Sequence, residues 1–300
     1  MSDIIALVWD FDKTLVEGYM QDPIFKEYQI DSKEFWKENN EEIKRIEESG
    51  LWVNKDTFYL NFFLRKIHDG SMKGLNNEKL RELGKQISFY RGVEEFFPEI
   101  QACINEDKKY KEYGITLEHY IISTGFRQMI EGCPLRKYIK KAWGCELLEN
   151  EKKIPIEIGY TIDNTSKTRA LFEISKGVGI EDRDNIDVNT KMTESDRRVH
   201  FINMVYIADG PSDIPAFSVI TKNGGATFAV YPAGDEPALH QVENMRNDGR
   251  VQMYAEADYS KGTTANLWIK NKVKQMADRI VEEKKERLAK YSAGTPQHLT

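Results

Sequence analysis

Three apolar runs constrain this chain more than any other feature. "IIALVWD" spans Ile4 to Asp10, "HYIIST" spans His119 to Thr124, and "NMVYIAD" spans Asn203 to Asp209. Each is rich in β-branched or aromatic residues and breaks into polar, glycine-containing sequence. A half-exposed strand alternates apolar with polar residues, whereas a continuous apolar run suits a strand covered on both faces, as in a parallel sheet. Helical patterns such as "QMIEGCPLRKYIKKAW" and "KTRALFEISKGV" lie between the runs. Strand alternating with helix predicts a doubly wound α/β fold.

In an open parallel sheet, ligands bind beyond the carboxyl ends of the strands. Asp10, Asp12, Ser123 and Asp209 all fall at or just past such ends, so side chains far apart in sequence converge on one edge. The convergence matters because the Asp10/Asp12 pair alone means little. With 49 acidic residues in 300, about eight acidic-x-acidic pairs arise by chance. Most charge clusters are solvated faces.

Residues 18–89 interrupt the alternation. "DPIFKEYQIDSKEFWKENNEEIKRIEESG", "NKDTFYLNFFLRKIHDG" and "NNEKLRELGKQIS" read as helices, with Asp31, Asn54 and Asn76 as N-caps. An all-helical segment inserted after the first strand reads as a small domain over the site, leaving residues 1–17 and 90–300 as the sheet domain. Phe35, Trp36, Trp52, Phe58, Tyr59, Phe62 and Phe63 are expected to form its core. "YRGVEEFF", Tyr90 to Phe97, marks re-entry into the sheet domain. Residues 181–198 are charged and aperiodic, which suggests a mobile surface loop. Residues 265–291 form a long helix pattern with Leu267, Val273, Met276, Ile280, Val281 and Leu288 near one side. The final residues, 292–300, read as a frayed tail.

Three hundred residues suit two domains, or one large domain with an insertion. A hydrophobic content of 40% supplies a real core, and a net charge of -6 with a pI near 5.6 argues against a general nucleic-acid binder. Cys103, Cys133 and Cys145 show no CxxC spacing, as expected of reduced thiols. The acidic N-terminus does not read as a signal peptide, and no apolar run is long enough to span a bilayer. A cytoplasmic protein is expected. The five histidines are scattered without metal-ligand spacing and read as structural or surface groups.

Four elements follow in order: "DFDKT" at 10–14, "ISTGF" at 122–126, Lys167 in "TSKTRALFEI", and "ADGPSD" at 208–213. As a set in these strand-end contexts they resemble the haloacid dehalogenase superfamily of phosphoryl-transfer enzymes. The helical insertion resembles the cap of the phosphoserine phosphatase branch, and "STGFR" resembles that branch's Ser-Gly-Gly-Phe-Arg segment with Thr124 replacing the first glycine. "EGYMQ", after "DFDKTLV", matches no phosphoserine-binding pattern.

The resemblance implies a magnesium-dependent phosphatase acting on a small phosphorylated metabolite, with no nucleic-acid or membrane partner. A phosphomonoester must be neutralised, aligned and attacked. Asp10 is expected as nucleophile, forming an aspartyl-phosphate. Asp12, on the same side of an extended chain, is expected as general acid and base. Asp10, Asp209 and the Asp12 carbonyl would ligate Mg²⁺, with Asp213 holding its waters. Ser123 and the amides of Thr124 and Gly125 would donate to the phosphoryl oxygens, and Lys167 would balance charge. Lys176 and Lys191 compete for that lysine role. Phosphotransferase or phosphomutase activity is the alternative within the superfamily. A phospho-accepting receiver domain is the alternative outside it, although receivers are shorter and lack the helical insertion.

Overall fold

The computed structural model describes residues 3–180 and 185–293. Its elements run β1 (Ile4–Trp9), α1 (Asp22–Glu27), α2 (Ser32–Glu48), α3 (Tyr59–His68), α4 (Asn77–Gly84), α5 (Val93–Asn105), α6 (Lys108–Glu112), β2 (Thr116–Phe126), α7 (Arg127–Gly132), β3 (Ile139–Glu149), β4 (Pro155–Tyr160), α8 (Lys167–Lys176), β5 (Met204–Ala208), α9 (Ile214–Lys222), β6 (Ala226–Tyr231), α10 (Glu236–Asn247), β7 (Met253–Glu256) and α11 (Thr264–Ala293). Among the described residues, no helix is long and apolar enough to cross a membrane.

The seven strands form one sheet in the order β4-β3-β2-β1-β5-β6-β7. All pairings are parallel except that of β3 with β4. The chain builds outward from β1 through β2 and β3, then returns to β5 on the other side of β1. That reversal opens a crevice at the carboxyl ends of β1, β2 and β5, where doubly wound folds bind ligands.

Continuous hydrophobicity in β1 reflects cover on both faces. Ile5, Leu7 and Trp9 point into one apolar cluster with α5 and α11, while Ala6 and Val8 point into another with α8 and α9. All five are fully buried. At about 25 cal/mol per Å², burying such side chains on both sides outweighs the β-strand ordering cost.

Between β1 and α5 the chain is helical, with no strand among the described residues. Asp31 caps α2 by accepting from Lys33 N and Glu34 N, and Asn76 caps α4 by accepting from Lys79 N. The interior of this segment is aromatic: Phe35, Phe58, Tyr59, Phe62 and Phe63 are buried, and Phe35 lies between Phe25 and Phe63. Helices α4 and α7 come together through two glycines. A Cβ on Gly84 would meet Met129 O at 2.2 Å, and one on Gly132 would meet Arg81 O at 2.0 Å.

Several expectations are corrected here. The pattern 128–143 is not one helix: α7 stops at Gly132, and Ile139–Trp143 belongs to β3. Pro134 explains the break, because it has no N–H and forces Cys133 into the extended conformation. Asn54 does not cap α3, which begins four residues after Lys55; its side chain accepts instead from Asp56 N within a turn. Trp52 is 97% exposed and outside the aromatic core. On α11, Val273, Met276, Ile280 and Val281 are buried, but Leu267 and Leu288 are exposed. Residues 181–184 of the charged segment, and 294–300 of the tail, lie outside the described residues. The far end of the charged segment is anchored, since Arg198 is buried and paired in bidentate fashion with Glu118.

Candidate active site

β1 carries its hydrogen bonding one residue beyond its end: Asp10 N donates to Ile207 O of β5 at 2.9 Å. This fixes the Asp10 backbone at the crevice floor, 6% exposed. The chain then turns sharply. Lys13 takes a left-handed conformation with φ of 54°, and Thr14 Oγ1 donates to Asp10 Oδ2 at 3.4 Å. The turn brings Met20 back, so that its N–H donates to Asp12 Oδ1 at 2.7 Å.

Asp10, Asp209 and Asp213 each offer a carboxylate oxygen, and these oxygens lie within 4.8 Å of one another. Lys167, the first residue of α8, reaches into the cluster from across the crevice. Its Nζ donates to Asp10 Oδ1 at 2.8 Å and to Asp213 Oδ1 at 2.7 Å, and the residue is 1% exposed. Asp213 is fully buried; its Oδ2 accepts from Ser212 Oγ at 2.8 Å and its Oδ1 also accepts from the Tyr206 hydroxyl. Neither competing lysine takes this place: Lys176 Nζ donates to Val188 O and Thr190 O, and Lys191 is exposed.

One ammonium does not balance this many carboxylates in a buried space, and the protonation equilibria show the strain. Burial raises Asp10 to about 6, against the lowering effect of Lys167. Burial, with Asp10 and Asp213 alongside, raises Asp209 to about 7. Asp12 rises furthest, to about 8, from burial and then the Asp10 charge. Burial alone would depress Lys167, but Asp10 and Asp213 reverse this and hold it above the ordinary lysine value. Asp10 and Asp12 are thus pushed apart, the first tending to the carboxylate and the second to the acid near neutrality. An all-oxygen, electron-rich cluster short of positive charge suits a hard divalent cation.

On the β2 side, Ser123 is 1% exposed and its Oγ accepts from Gly125 N at 3.0 Å. That leaves the hydroxyl proton of Ser123 for another acceptor, while the Gly125 amide is engaged within the turn. Thr124 O accepts from the Tyr59 hydroxyl of α3 at 2.7 Å. A Cβ on Gly125 would meet Met20 Sδ at 2.4 Å, so the glycine permits the β1 turn and the β2 turn to touch.

Of the residues singled out in the sequence, Asp10, Asp209, Asp213 and Lys167 are therefore joined in one cluster, Asp12 adjoins it through Asp10, and Ser123–Gly125 form the neighbouring turn. Two further participants were not picked out. Thr14 had a signal, being the last residue of "DFDKT". Tyr206 had none: it sits inside an apolar strand, and only the fold shows its hydroxyl on Asp213.

No family model matches the chain. An uncharacterized protein from Borreliella burgdorferi is 35% identical over 289 residues, spanning 90% of this chain and 97% of that one. Among solved structures, a probable phosphoserine phosphatase from Vibrio cholerae superposes with a TM-score of 0.52 at 14% identity, covering 92% of this chain and 67% of that one. A hydrolase of the haloacid dehalogenase family from Salmonella enterica serovar Typhi superposes with a TM-score of 0.50 at 15% identity, covering 85% and 67% respectively. At such identities the likeness shows the fold.

Proposed function

From a chain that belongs to the family of the Borreliella burgdorferi protein and has the fold of the haloacid dehalogenase hydrolases, we propose a magnesium-dependent phosphatase acting on a small phosphomonoester. One observation carries the reading: Lys167 bridges Asp10 and Asp213 inside a buried carboxylate cluster, and burial with the Asp10 charge pushes the adjoining Asp12 towards its acid form. A purely structural ion pair needs one carboxylate per lysine and no buried surplus of negative charge.

Asp10 and Asp209, with the Asp12 carbonyl, would hold Mg²⁺, and Asp213 would stay behind them, anchored to Lys167 and Tyr206. When bound, the metal supplies positive charge that lets an anionic ester approach an anionic nucleophile. The chain's own residues do the rest. An Asp10 oxygen attacks phosphorus while the bond to the leaving oxygen breaks, and the Asp12 proton goes to that oxygen. The product is an aspartyl-phosphate and a free alcohol. Asp12, now a carboxylate, takes a proton from water as its oxygen attacks phosphorus, which releases phosphate and restores Asp10. Lys167 and the Ser123 hydroxyl offset charge on the phosphoryl oxygens.

We also propose that residues 18–89 act as a cap over this crevice. Its bonds to the floor, from Met20 to Asp12 and from Tyr59 to Thr124, support a closed lid that excludes water, and hence a small soluble substrate. Purified protein assayed against a phosphomonoester panel tests the proposal. Phosphate release with Mg²⁺, lost with EDTA and in Asp10→Asn, is expected; release that survives either treatment would overturn it.

A further inference from the structure

Lys167 has a difficult position. It begins α8, where the helix dipole disfavours a cation, yet its ammonium must meet two carboxylate oxygens at 2.8 and 2.7 Å. What holds the start of this helix is the preceding turn. Asp163 Oδ1 accepts from Thr165 N at 3.0 Å and Ser166 N at 2.6 Å, Asp163 O accepts from Lys167 N at 3.1 Å, and Asp163 N donates to Ser166 Oγ at 2.7 Å. One residue, Asp163, organises the turn, through its side chain at Thr165 and Ser166 and through its backbone at Ser166 and Lys167.

The same carboxylate is gripped from the helical segment. Asn54 Nδ2 donates to Asp163 Oδ2 at 3.0 Å, and the neighbouring Asn164 N donates to Asp56 Oδ2 at 3.2 Å. Asn54 Oδ1 in turn accepts from Asp56 N at 3.0 Å, which sets the two loop residues in register with the turn. The bonds to Asp163 and Asn164 join residues more than 100 positions apart. They run in an unbroken chain from the α2–α3 loop, through Asp163, to the lysine that bridges the carboxylate cluster.

We infer that Asp163 is a positioning residue for Lys167, and that the α2–α3 loop, through Asn54 and Asp56, holds its turn in the working conformation. The inference rests on the phosphatase reading for its consequence in turnover. Docking of the loop orders the turn, and by reciprocity an ordered turn favours docking. Closure of the helical segment is thereby tied to delivery of the positive charge the site needs, and an undocked loop leaves Lys167 less well aimed.

The test uses the full-length chain with a double Asn54→Ala, Asp56→Ala change, and separately Asp163→Ala and Asp163→Asn. Hydrogen exchange is followed at Ser166 and Lys167, and p-nitrophenyl phosphate turnover is measured with Mg²⁺. A coupling of ordinary strength speeds exchange at both amides about tenfold in the double variant and in Asp163→Ala, and lowers kcat about tenfold with KM nearly unchanged. Asp163→Asn recovers only part of both: its amide oxygen still accepts from Thr165 N and Ser166 N, but its NH2 replaces the oxygen that accepts from Asn54 Nδ2, so the grip from the loop is weakened. Asn54 is exposed and Asp56 half-buried, so the double variant carries the test should Asp163→Ala fail to fold. Unchanged exchange, or faster exchange with unchanged kcat, would overturn the inference. A wild type inert toward every phosphoester sinks the phosphatase reading instead, and the exchange measurement then decides the positioning role alone.

Discussion

At the carboxyl edge of the sheet, Asp10 just past β1, Lys167 at the start of α8 and Asp213 just before α9 are buried together. In residues 22–84 the interior is instead a set of aromatic rings, Phe25, Phe35, Phe62 and Phe63, packed at centroid distances near 5 Å. The first region holds unfavourable charge in place because parallel strands covered on both faces cannot yield. The second derives its order from apolar burial and meets the first through a handful of polar bonds. The surplus of buried charge thus belongs to the sheet, and on the proposed reading the freedom to open belongs to the helical part.

The most direct way to break that contrast is to remove Asp10, the proposed nucleophile. Asp10→Asn is expected to cut kcat at least about 1,000-fold without lowering the melting temperature, since a buried charge surplus is relieved. A variant that loses activity only because it unfolds would contradict this, and circular dichroism separates the two. Asp12→Ala should cost about 100- to 10,000-fold, the usual worth of general acid–base catalysis. It should do so mainly with poor leaving groups, so comparing p-nitrophenyl phosphate with an alkyl phosphate checks the role.

On the helical side, Gly84→Ala places a methyl group against the Met129 carbonyl. Forcing α4 from α7 should destabilise by about 1–3 kcal/mol, read as a lower denaturant midpoint; an unchanged midpoint would show that the helices separate freely. Metal-free protein offers a titration of the floor. Asp12 and Asp209 keep protons in the folded state that the unfolded chain releases near pH 4. Their stabilising contribution is full below that pH and is lost as pH rises through about 7 to 8. Melting temperature without metal should therefore fall from pH 5 to 9 more steeply in wild type than in Asp12→Asn, with a gap of about 2–5 °C at the upper end. Parallel curves would remove Asp12 as a buried acid. The smallest effect belongs to Trp52→Ala, within about 0.5 kcal/mol, because that ring is exposed; a large change in stability would place Trp52 against something unseen.

How far the sequence could be read varied by region. β1, β2 and β5 were legible as continuous apolar runs, whereas β3 was hidden inside a helical pattern broken only by Pro134. Periodicity over so short a stretch does not distinguish a strand from a helix. α2 and α4 announced their starts through Asp31 and Asn76, yet Asn54, of the same residue type, serves a turn and the contact with Asp163.

Local chemistry determined that these runs become buried parallel strands and that acidic residues stand at their ends, because side-chain branching and hydrophobicity act over a few neighbouring positions. Only the tertiary structure decided that Lys167 rather than Lys176 reaches Asp10, that Tyr206 backs Asp213, and that the α2–α3 loop grips the turn before α8. Those choices depend on distances across 46 to 157 residues of chain and within a single packed strand-to-helix turn. Electrostatic attraction at 3 Å carries no trace in the spacing of the residues that make it.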